Sequence, residues 1–331
     1  MKTAKNSNLL VTSNPHIVDS MNTTKIMSLV VIALLPSLIA SVVIFGARAL
    51  ILAAVCIVAS MFFEWAYEKI AKKPSTVGDL SAVVTGLLIA MNVPVTLPYW
   101  MAVIGCFVAI VIVKQFFGGL GQNLFNPAIT GRVFLLISFP TYMTDWSMTR
   151  GFVPAVDAVS GATPLSALKE ALKSGSTISD FLADKGLTIN QLMQDIGASA
   201  GEISSIALLV GFAYLLVRRV VKPWIPLSII VTVAVISGIF STVNPELYTG
   251  PAFNIFTGGM ILGACFMATD YVTSPMSTLG GVIYGIGIGV IVMMIRYFGA
   301  YPEGMSFAIL IMNCVVPLLN NWFHGKKYGR A

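Results

Sequence analysis

Ten apolar runs divide this chain, and their lengths constrain the fold more than any other feature. They lie at roughly 26–45, 49–68, 79–92, 100–117, 125–140, 203–217, 225–240, 257–271, 279–297 and 305–321. An apolar run of about 20 residues is long enough to cross a membrane as a helix. Because 56% of the 331 residues are hydrophobic and only 10% are charged, most of the chain must be solvated by lipid. The sequence therefore predicts an all-α polytopic membrane protein with about ten transmembrane segments.

The ten runs form two sets of five, and the third member of each set is short. Run 79–92 is followed by Pro94, and run 257–271 is followed by Pro275. Short segments that end at proline in matching positions are typical of half helices. The residues that come later in each set also match, Lys114-Gln115-Phe116-Phe117-Gly118 with Arg296-Tyr297-Phe298-Gly299. Since five is an odd number of spans, a duplication would give two inverted five-helix repeats; chance similarity between apolar helices is the alternative.

Basic residues predict how the chain is oriented in the membrane. They cluster at Lys2 and Lys5, at Lys69, Lys72 and Lys73, at Arg218, Arg219 and Lys222, and at Lys326, Lys327 and Arg330. Because basic loops remain on the cytoplasmic side, both termini are predicted to be cytoplasmic. The predicted organisation is a cytoplasmic tail 1–24, a first repeat 25–140, an outer loop 141–202, a second repeat 203–321 and a cytoplasmic tail 322–331. The net charge of +6 thus reflects orientation, and nucleic acid is not expected as a partner.

The predicted outer loop contains a segment that resembles a flavin attachment site, Asp157-Ala158-Val159-Ser160-Gly161-Ala162-Thr163-Pro164. A flavin transferase recognises Asp-x-x-Ser/Thr-Gly-Ala-Ser/Thr and moves FMN from FAD onto the last hydroxyl, which makes a phosphoester. Here that hydroxyl belongs to Thr163, and the attachment motif comprises Asp157, Ser160, Gly161 and Ala162. The small residues allow an enzyme to approach the Thr163 nucleophile closely. The alternative is that Thr163 only caps a surface helix that begins at Pro164.

Metal and haem chemistry is not predicted within this chain. Each cysteine stands alone in an apolar run, and both histidines lie in the polar tails: Cys56, Cys106, Cys265, Cys314, His16 and His324. An iron–sulfur cluster needs several thiolates, and a membrane haem needs axial ligands within the bilayer. An electron carrier in this chain would therefore be something other than haem or a self-contained metal cluster, and a flavin on Thr163 fits that requirement. Iron–sulfur chemistry would come from partner subunits.

Several motifs, taken in order, resemble those of one family of membrane redox subunits. They are Ser13-Asn14-Pro15-His16-Ile17, Asp79 through Gly86, Lys114 through Ala128, the flavin attachment segment and Ala268 through Pro275. The chain is similar to the D subunit of the Rnf complex and to the B subunit of the Na⁺-translocating NADH:quinone reductase. Its short N-terminal tail favours the Rnf type.

The resemblance implies a cofactor set and a complex. It implies covalent FMN and a second, non-covalent flavin of riboflavin type. It also implies a place in the cytoplasmic membrane of a prokaryotic cell, with a second FMN-bearing subunit and iron–sulfur subunits as partners. That complex passes electrons between ferredoxin and NAD while it moves Na⁺ or H⁺, so this chain would be one subunit of a redox-driven translocase and not a complete enzyme.

Asp270 is the predicted ion-coupling residue, together with Thr269 and Thr273. A carboxylate at membrane depth costs roughly 2.5–3.5 kcal/mol on insertion scales, so it requires a partner, a cavity or a cation. Hydroxyl groups and the freed carbonyl groups of a broken helix are suitable ligands for Na⁺. The alternative is a carboxylate in water just beyond the helix end.

Three further polar residues are candidate flavin contacts: Arg132, Asn123 and Asn126. Arg132 lies in an apolar run and would pair with a carboxylate or a flavin oxygen, or serve as a structural counter-ion. The two asparagines lie in a glycine-rich connection that would allow close approach to an isoalloxazine edge.

By contrast, Lys114 and Arg296 lie near helix ends and are expected to snorkel towards water. Asp79 is expected to cap the first short helix.

A channel-like facilitator is the rival function, because Asn126-Pro127-Ala128 is the tripeptide of water and glycerol pores. Those pores need two copies, and the second half of this chain has Ser274-Pro275-Met276 instead. A channel also gives no reason for the flavin attachment segment. A purely structural scaffold for other redox subunits is the third possibility, and bound flavin would distinguish a carrier from a scaffold.

Overall fold

The computed structural model describes residues 21–144, 146–147, 160–161, 164–174, 177–178, 205–301 and 303–323. The helices of the first half are α1 (Thr23–Phe45), α2 (Ala47–Ile70), α3 (Ser81–Asn92), α4 (Tyr99–Phe107, continued by a π-helix Val108–Gln115), α5 (Pro127–Ser138) and α6 (Pro140–Thr144). The connection contributes α7 (Pro164–Lys173) and two short antiparallel strands, β1 (Trp146–Ser147) and β2 (Ser160–Gly161). The second half contains α8 (Ser205–Val217), α9 (Trp224–Val243), α10 (Pro251–Phe256), α11 (Met260–Leu262, continued by a π-helix Gly263–Met267), α12 (Thr278–Phe298) and α13 (Met305–Trp322).

The predicted class of a polytopic helical membrane protein is confirmed. Within the described ranges, five helices are long and apolar enough to cross a membrane: α1, α2, α9, α12 and α13. The helices α3, α5 and α8, and α4 with its π-helical continuation, are apolar but have fewer than 18 residues. A layout of ten spans and the predicted domain boundaries therefore stay predictions.

The first short helix, α3, begins as its sequence predicts. Leu80 adopts a left-handed conformation with φ of 66°, and the chain turns there from a 3₁₀ turn into α3. The Asp79 carboxylate accepts hydrogen bonds from the Ser81 backbone N–H at 2.7 Å and from the Ser81 hydroxyl at 2.5 Å. An acceptor at this position satisfies a helix N–H group that has no partner within the helix. Asp79 is thus the predicted cap.

The second short helix differs from the prediction of one helix over 257–271, which was wrong at both ends. The chain forms α10, breaks at Thr257 to Gly259, and resumes as α11 and its π-helical continuation, which ends at Met267. Gly258 and Gly259 have φ of 66° and 64°, a left-handed conformation that glycine adopts without steric penalty. Two such residues in succession interrupt an otherwise apolar helix, and the break leaves backbone carbonyl groups without intrahelical donors.

Small residues allow the helices to approach closely at several contacts. A Cβ built on Gly86 of α3 would lie 2.6 Å from the Cys56 carbonyl oxygen of α2. A Cβ on Gly211 of α8 would lie 1.9 Å from the Ala33 carbonyl oxygen of α1. Helix pairs within a membrane depend on such contacts because lipid removes the hydrophobic drive to associate. The contact between α8 and α1 also joins the two halves of the chain.

The expectation that Lys114 and Arg296 snorkel is wrong for both residues, since only 1% of Lys114 and 3% of Arg296 is exposed. Lys114 Nζ donates to the hydroxyl of Ser81, the first residue of α3, at 2.6 Å. Arg296 donates to the carbonyl oxygens of Thr257 and Gly258 at the break before α11, at 2.7 and 3.3 Å. Each basic side chain therefore reaches the start of the short helix in its own half.

Candidate functional site at the junction of the short helices

The C-terminal ends of the two short helices meet inside the molecule. Asn92, the last residue of α3, lies with its Nδ2 3.0 Å from the Met267 sulfur at the end of the second short helix. Asn126 Nδ2 donates to the Met267 carbonyl oxygen at 3.1 Å, and Arg132 Nε donates to the Asn92 carbonyl oxygen at 2.9 Å. Side chains around α5 thus satisfy terminal carbonyl groups of both short helices, which would otherwise lack donors.

A cavity, the junction cavity, opens beside this meeting point. Its polar lining residues are Ser81, Thr85, Lys114, Asn123, Asn126, Thr269, Asp270 and Tyr271, and its apolar lining residues include Met27, Val30, Val84, Leu88, Leu215 and Phe266. The lining comes from both halves of the chain. The structure therefore brings together two predicted flavin contacts, Asn123 and Asn126, and two predicted ion-coupling residues, Thr269 and Asp270, which the sequence separates by more than 140 positions.

Asp270 lies in the turn that follows the second short helix. Its Oδ2 atom accepts a hydrogen bond from the hydroxyl of Thr273, a buried residue, at 2.9 Å. The Thr269 hydroxyl is directed back into the helix, where it donates to the Cys265 carbonyl oxygen at 2.8 Å. Among the described residues no group of three or more His, Cys, Asp and Glu side chains is arranged to hold a metal ion. A cation at Asp270 would therefore need carbonyl, hydroxyl and water oxygens as its other ligands.

The two asparagines of the cavity have different surroundings. Asn126 caps α5, because its Oδ1 accepts from the backbone N–H groups of Ala128 and Ile129 at 3.0 and 3.3 Å. Asn123 Nδ2 donates to the Phe125 carbonyl oxygen at 3.0 Å, but its Oδ1 is buried and accepts no hydrogen bond from any described group. A buried acceptor without a donor costs about 1–3 kcal/mol. Asn123 is thus suited to accept a hydrogen bond from a ligand N–H group.

Lys114 connects the cavity to a carboxylate of α2, Glu64, and Glu68 lies one helical turn further along α2. Neither carboxylate was predicted from the sequence. Lys114 Nζ lies 2.5 Å from Glu64 Oε1, and Gln115 Nε2 donates to the same oxygen at 3.0 Å. The Thr76 hydroxyl lies within hydrogen-bonding distance of both carboxylates, 3.2 Å from Glu64 Oε1 and closer to Glu68 Oε1. Glu64 is fully buried and Glu68 is 3% exposed. The available signal was the spacing of four residues, which puts both carboxylates on one face near the end of an apolar run.

Arg132 lies outside the junction cavity. Its Nη2 atom is 2.5 Å from Glu303 Oε2, in an ion pair that joins α5 to the segment before α13, and its Nη1 hydrogen-bonds to Ser306. Arg132 is thus paired with a carboxylate, as expected if it serves as a structural counter-ion. Its partner, Glu303, was not predicted from the sequence. A flavin contact by Arg132 stays a prediction.

The attachment motif is described only in part. Asp157, Ala162 and Thr163 lie outside the described residues, whereas the backbone of Ser160 and Gly161 forms β2 and pairs with Ser147 and Trp146, respectively. Helix α7 begins at Pro164, the position that the Thr-Pro sequence predicts for the start of a helix.

Comparison with known proteins places the chain among redox-linked membrane subunits. A profile of the NQR2, RnfD, RnfE family matches residues 10–329. The D subunit of the Na⁺-translocating ferredoxin:NAD⁺ oxidoreductase complex of Acetobacterium woodii is 43% identical over 324 residues, which cover 97% of this chain and 96% of the relative. The D subunit of the proton-translocating ferredoxin:NAD⁺ oxidoreductase complex of Clostridium ljungdahlii is 39% identical over 321 residues, 96% of each chain. The D subunit of the ion-translocating oxidoreductase complex of Halorhodospira halophila is 36% identical over 339 residues, 96% of this chain and 95% of the relative.

Proposed function

The chain belongs to the NQR2, RnfD, RnfE family, and from this membership we propose that it is the membrane electron-transfer subunit of an ion-pumping ferredoxin:NAD⁺ oxidoreductase complex. In this proposal it relays electrons through covalent FMN at Thr163 and couples that transfer to movement of Na⁺ or H⁺. Its relatives are named for translocation of either ion. The other subunits supply the sites for ferredoxin, NAD and iron–sulfur clusters.

Within the structure, the single observation that supports the coupling of electron transfer to ion movement is the composition of the junction cavity. Asn123, a candidate flavin contact, and Asp270, a candidate ion ligand, line the same space. Two unit charges 4 Å apart interact by about 4 kcal/mol at an effective dielectric constant of 20. A change of charge on a group bound in this cavity would therefore change the energy of a cation beside Asp270. A channel needs no such pairing of residues.

The lining of the junction cavity offers contacts for one edge of a second, non-covalent flavin, although its volume of about 80 Å³ is smaller than the roughly 300–1,000 Å³ of pockets that enclose a whole ligand. Asn123 Oδ1 is a buried acceptor that accepts no hydrogen bond from a described group, and an isoalloxazine edge carries an N–H donor. Apolar side chains such as Val84, Leu88 and Phe266 suit the faces of a planar ring. When bound, a flavin would supply one- and two-electron redox chemistry. The protein would hold its edge at Asn123, with the Lys114 ammonium group in the same lining.

Covalent FMN at Thr163 is supported by the attachment motif and by the helix that follows it. Thr163 directly precedes α7, which begins at Pro164. The N–H groups in the first turn of a helix lack intrahelical acceptors and favour an anion. A phosphoester on Thr163 would therefore be attached beside a helix N-terminus.

The proposed architecture is two inverted repeats, with both termini in the cytoplasm and Thr163 on the outer side of the cytoplasmic membrane. The matching positions Lys114 and Arg296 support this, since each donates to the start of the short helix of its own half.

A B-type subunit of the Na⁺-translocating NADH:quinone reductase is the second candidate, because the family description includes NQR2. The three relatives described above are all named as D subunits, which favours the Rnf type.

The test of covalent attachment uses the full chain produced together with a flavin transferase. After separation on a denaturing gel, the band should fluoresce under ultraviolet light. Thr163→Ala should abolish the fluorescence without removing the protein from the membrane, and Thr163→Ser should restore part of it. Thr144→Ala is the matched control, since Thr144 is an exposed threonine of the same predicted loop. Covalent fluorescence that persists in Thr163→Ala would refute the assignment.

A further inference from the structure

Helix α7, which directly follows Thr163, is packed against the second half of the chain. Leu165 and Leu168 of α7 form a small buried cluster with Phe253 of α10 and Ile178. The Ile178 backbone N–H also donates to the Glu246 carbonyl oxygen at 3.2 Å. Helix α7 lies within the predicted outer loop 141–202. It nevertheless packs at a defined place, against Phe253 of α10.

A lysine side chain fastens α7 to the end of α12. Lys169 Nζ donates to the carbonyl oxygens of Tyr301, Gly299 and Ile295, at 2.6, 2.9 and 3.4 Å. Ile295 lies in the last turn of α12, and Gly299 follows its last residue. Carbonyl groups at a helix C-terminus have few intrahelical donors and carry the negative end of the helix dipole. An ammonium group is therefore stabilised at this position.

Leu165 lies directly against the glycine break that precedes α11. A Cβ built on Gly258 would be 2.7 Å from Leu165 Cδ1 and 2.9 Å from Arg296 Nη2. Gly258 also has a φ of 66°, which a residue with a side chain rarely adopts. The missing side chain of Gly258 thus leaves the space that Leu165 of α7 occupies, and any larger residue at 258 would fill that space. Gly258 belongs to the break between α10 and α11, and its carbonyl oxygen accepts a hydrogen bond from Arg296.

We propose that Lys169 is a positioning residue for the covalent flavin, because it holds α7, the helix that begins one residue after Thr163 in the sequence, on the glycine break of the second half. The inference rests on the proposed attachment of FMN at Thr163. A group held by a rigid element keeps a defined geometry relative to its reaction partners, whereas a group on a loose loop does not. Lys169 makes no contact with the flavin in this role and acts only through α7.

The test compares Lys169→Met, Lys169→Arg and the control Glu170→Gln in the assembled, flavin-loaded complex. Glu170 is exposed on the same helix. Lys169→Met should make amide hydrogen exchange in 164–173 about tenfold faster, which corresponds to about 1.4 kcal/mol of lost docking free energy. It should also lower the fluorescence anisotropy of the covalent flavin without changing its amount. Lys169→Arg should preserve both values, because a guanidinium group also donates to carbonyl oxygens.

A second variant tests the same contact from the opposite side. Gly258→Ala should displace Leu165 and reproduce the fast exchange and the low anisotropy, even if Lys169→Met does not accumulate in the membrane. Gly250→Ala is its control, since a Cβ there would meet nothing within 4 Å.

Each result bears on one of the two proposals. Wild-type exchange in Lys169→Met, or a Lys169→Arg variant that behaves like Lys169→Met, would overturn the docking role. Fast exchange with unchanged flavin anisotropy would show that docking does not position the flavin, and would also overturn the proposal. Absence of covalent flavin from the wild-type chain would instead refute attachment at Thr163, while the exchange measurement would still report on docking.

Discussion

Lys114 Nζ lies 2.5 Å from Glu64 Oε1, and this ion pair joins the π-helical end of α4 to α2 beside the start of α3. The Lys114 side chain is 2% exposed and the Glu64 side chain 0%. Two buried opposite charges compensate one another, but either charge alone is strongly disfavoured in a medium of low dielectric constant. The pair therefore fixes the start of the first short helix and one wall of the junction cavity.

We predict that Lys114→Met lowers the free energy of unfolding by about 3–5 kcal/mol, because Glu64 would remain buried without its cation. The double variant Lys114→Met/Glu64→Gln should lose clearly less, since the uncompensated charge is gone. Thermal unfolding in detergent can be followed with a thiol-reactive dye, because Cys56, Cys106 and Cys265 are buried in the folded chain. The exposed Cys314 is first replaced by Ala.

Lys222→Met is the control for this series, because Lys222 is an exposed lysine. Its free energy of unfolding should differ from that of the parent chain by no more than about 0.5 kcal/mol. Equal losses in the single and double variants would contradict the interpretation that the two charges act as a pair.

We predict that Asn123→Ala lowers the amount of non-covalent flavin released on denaturation and leaves covalent flavin unchanged. Asn123 Oδ1 is the buried acceptor of the junction cavity, and its removal would leave a ligand N–H group without a partner. Extraction of the purified complex, followed by chromatography of the free flavins, measures the effect. Asn321→Ala, at an exposed asparagine of α13, should retain the full amount. A full complement of released flavin in Asn123→Ala would exclude this residue from the site.

We predict that Asp270→Asn lowers the number of ions moved per electron more than it lowers flavin content or assembly. The carboxylate lines the junction cavity and is hydrogen-bonded to Thr273, and an amide in its place keeps the size but loses the charge. The measurement is uptake of ²²Na⁺ or of protons into vesicles, normalised to electron flux and covalent flavin. Glu246→Gln removes an exposed carboxylate and should change nothing. An unchanged ratio and flux in Asp270→Asn would remove Asp270 from the ion path.

We predict opposite accessibility for two exposed positions, Lys72 in the first half and Ser174 at the end of α7. In a Cys314→Ala background, Ser174→Cys should react with an impermeant maleimide from outside intact cells. Lys72→Cys should react only after the cells are opened, because the basic segment that contains it is predicted to be cytoplasmic. Labelling of both positions from the same side would contradict the inverted-repeat topology.

The helical elements were predictable because lipid imposes a simple rule on the sequence. A chain in a bilayer must satisfy its backbone groups internally, so each long apolar run becomes a helix. The start of α3 was also predictable, because it depends on a local interaction: the Asp79 carboxylate accepts a hydrogen bond from Ser81, two residues away. The break at Gly258 and Gly259 was missed because an apolar average over a window does not register two left-handed glycines.

The buried basic residues show where local reasoning was insufficient. Lys114 near the end of a helix favours snorkelling when only its own segment is considered. The partner that keeps it inside, Glu64, is 50 positions away in the sequence. Similarly, Arg132 and its partner Glu303 are separated by 171 positions, so neither pair is visible in the sequence around one residue.

The sequence by itself determined that this chain is a helical membrane protein of one family, and it contains a segment that resembles a flavin attachment site and an acidic residue after a short helix. These properties depend on composition, apolar length and contiguous motifs, which are local. Only the tertiary structure decided that Asn123 and Asp270 face one cavity, that Lys114 and Arg132 have carboxylate partners, and that α7 rests on Gly258. The physical reason is that burial of a charge or a polar group is compensated by whichever donor or acceptor the packing of distant helices brings within about 3 Å.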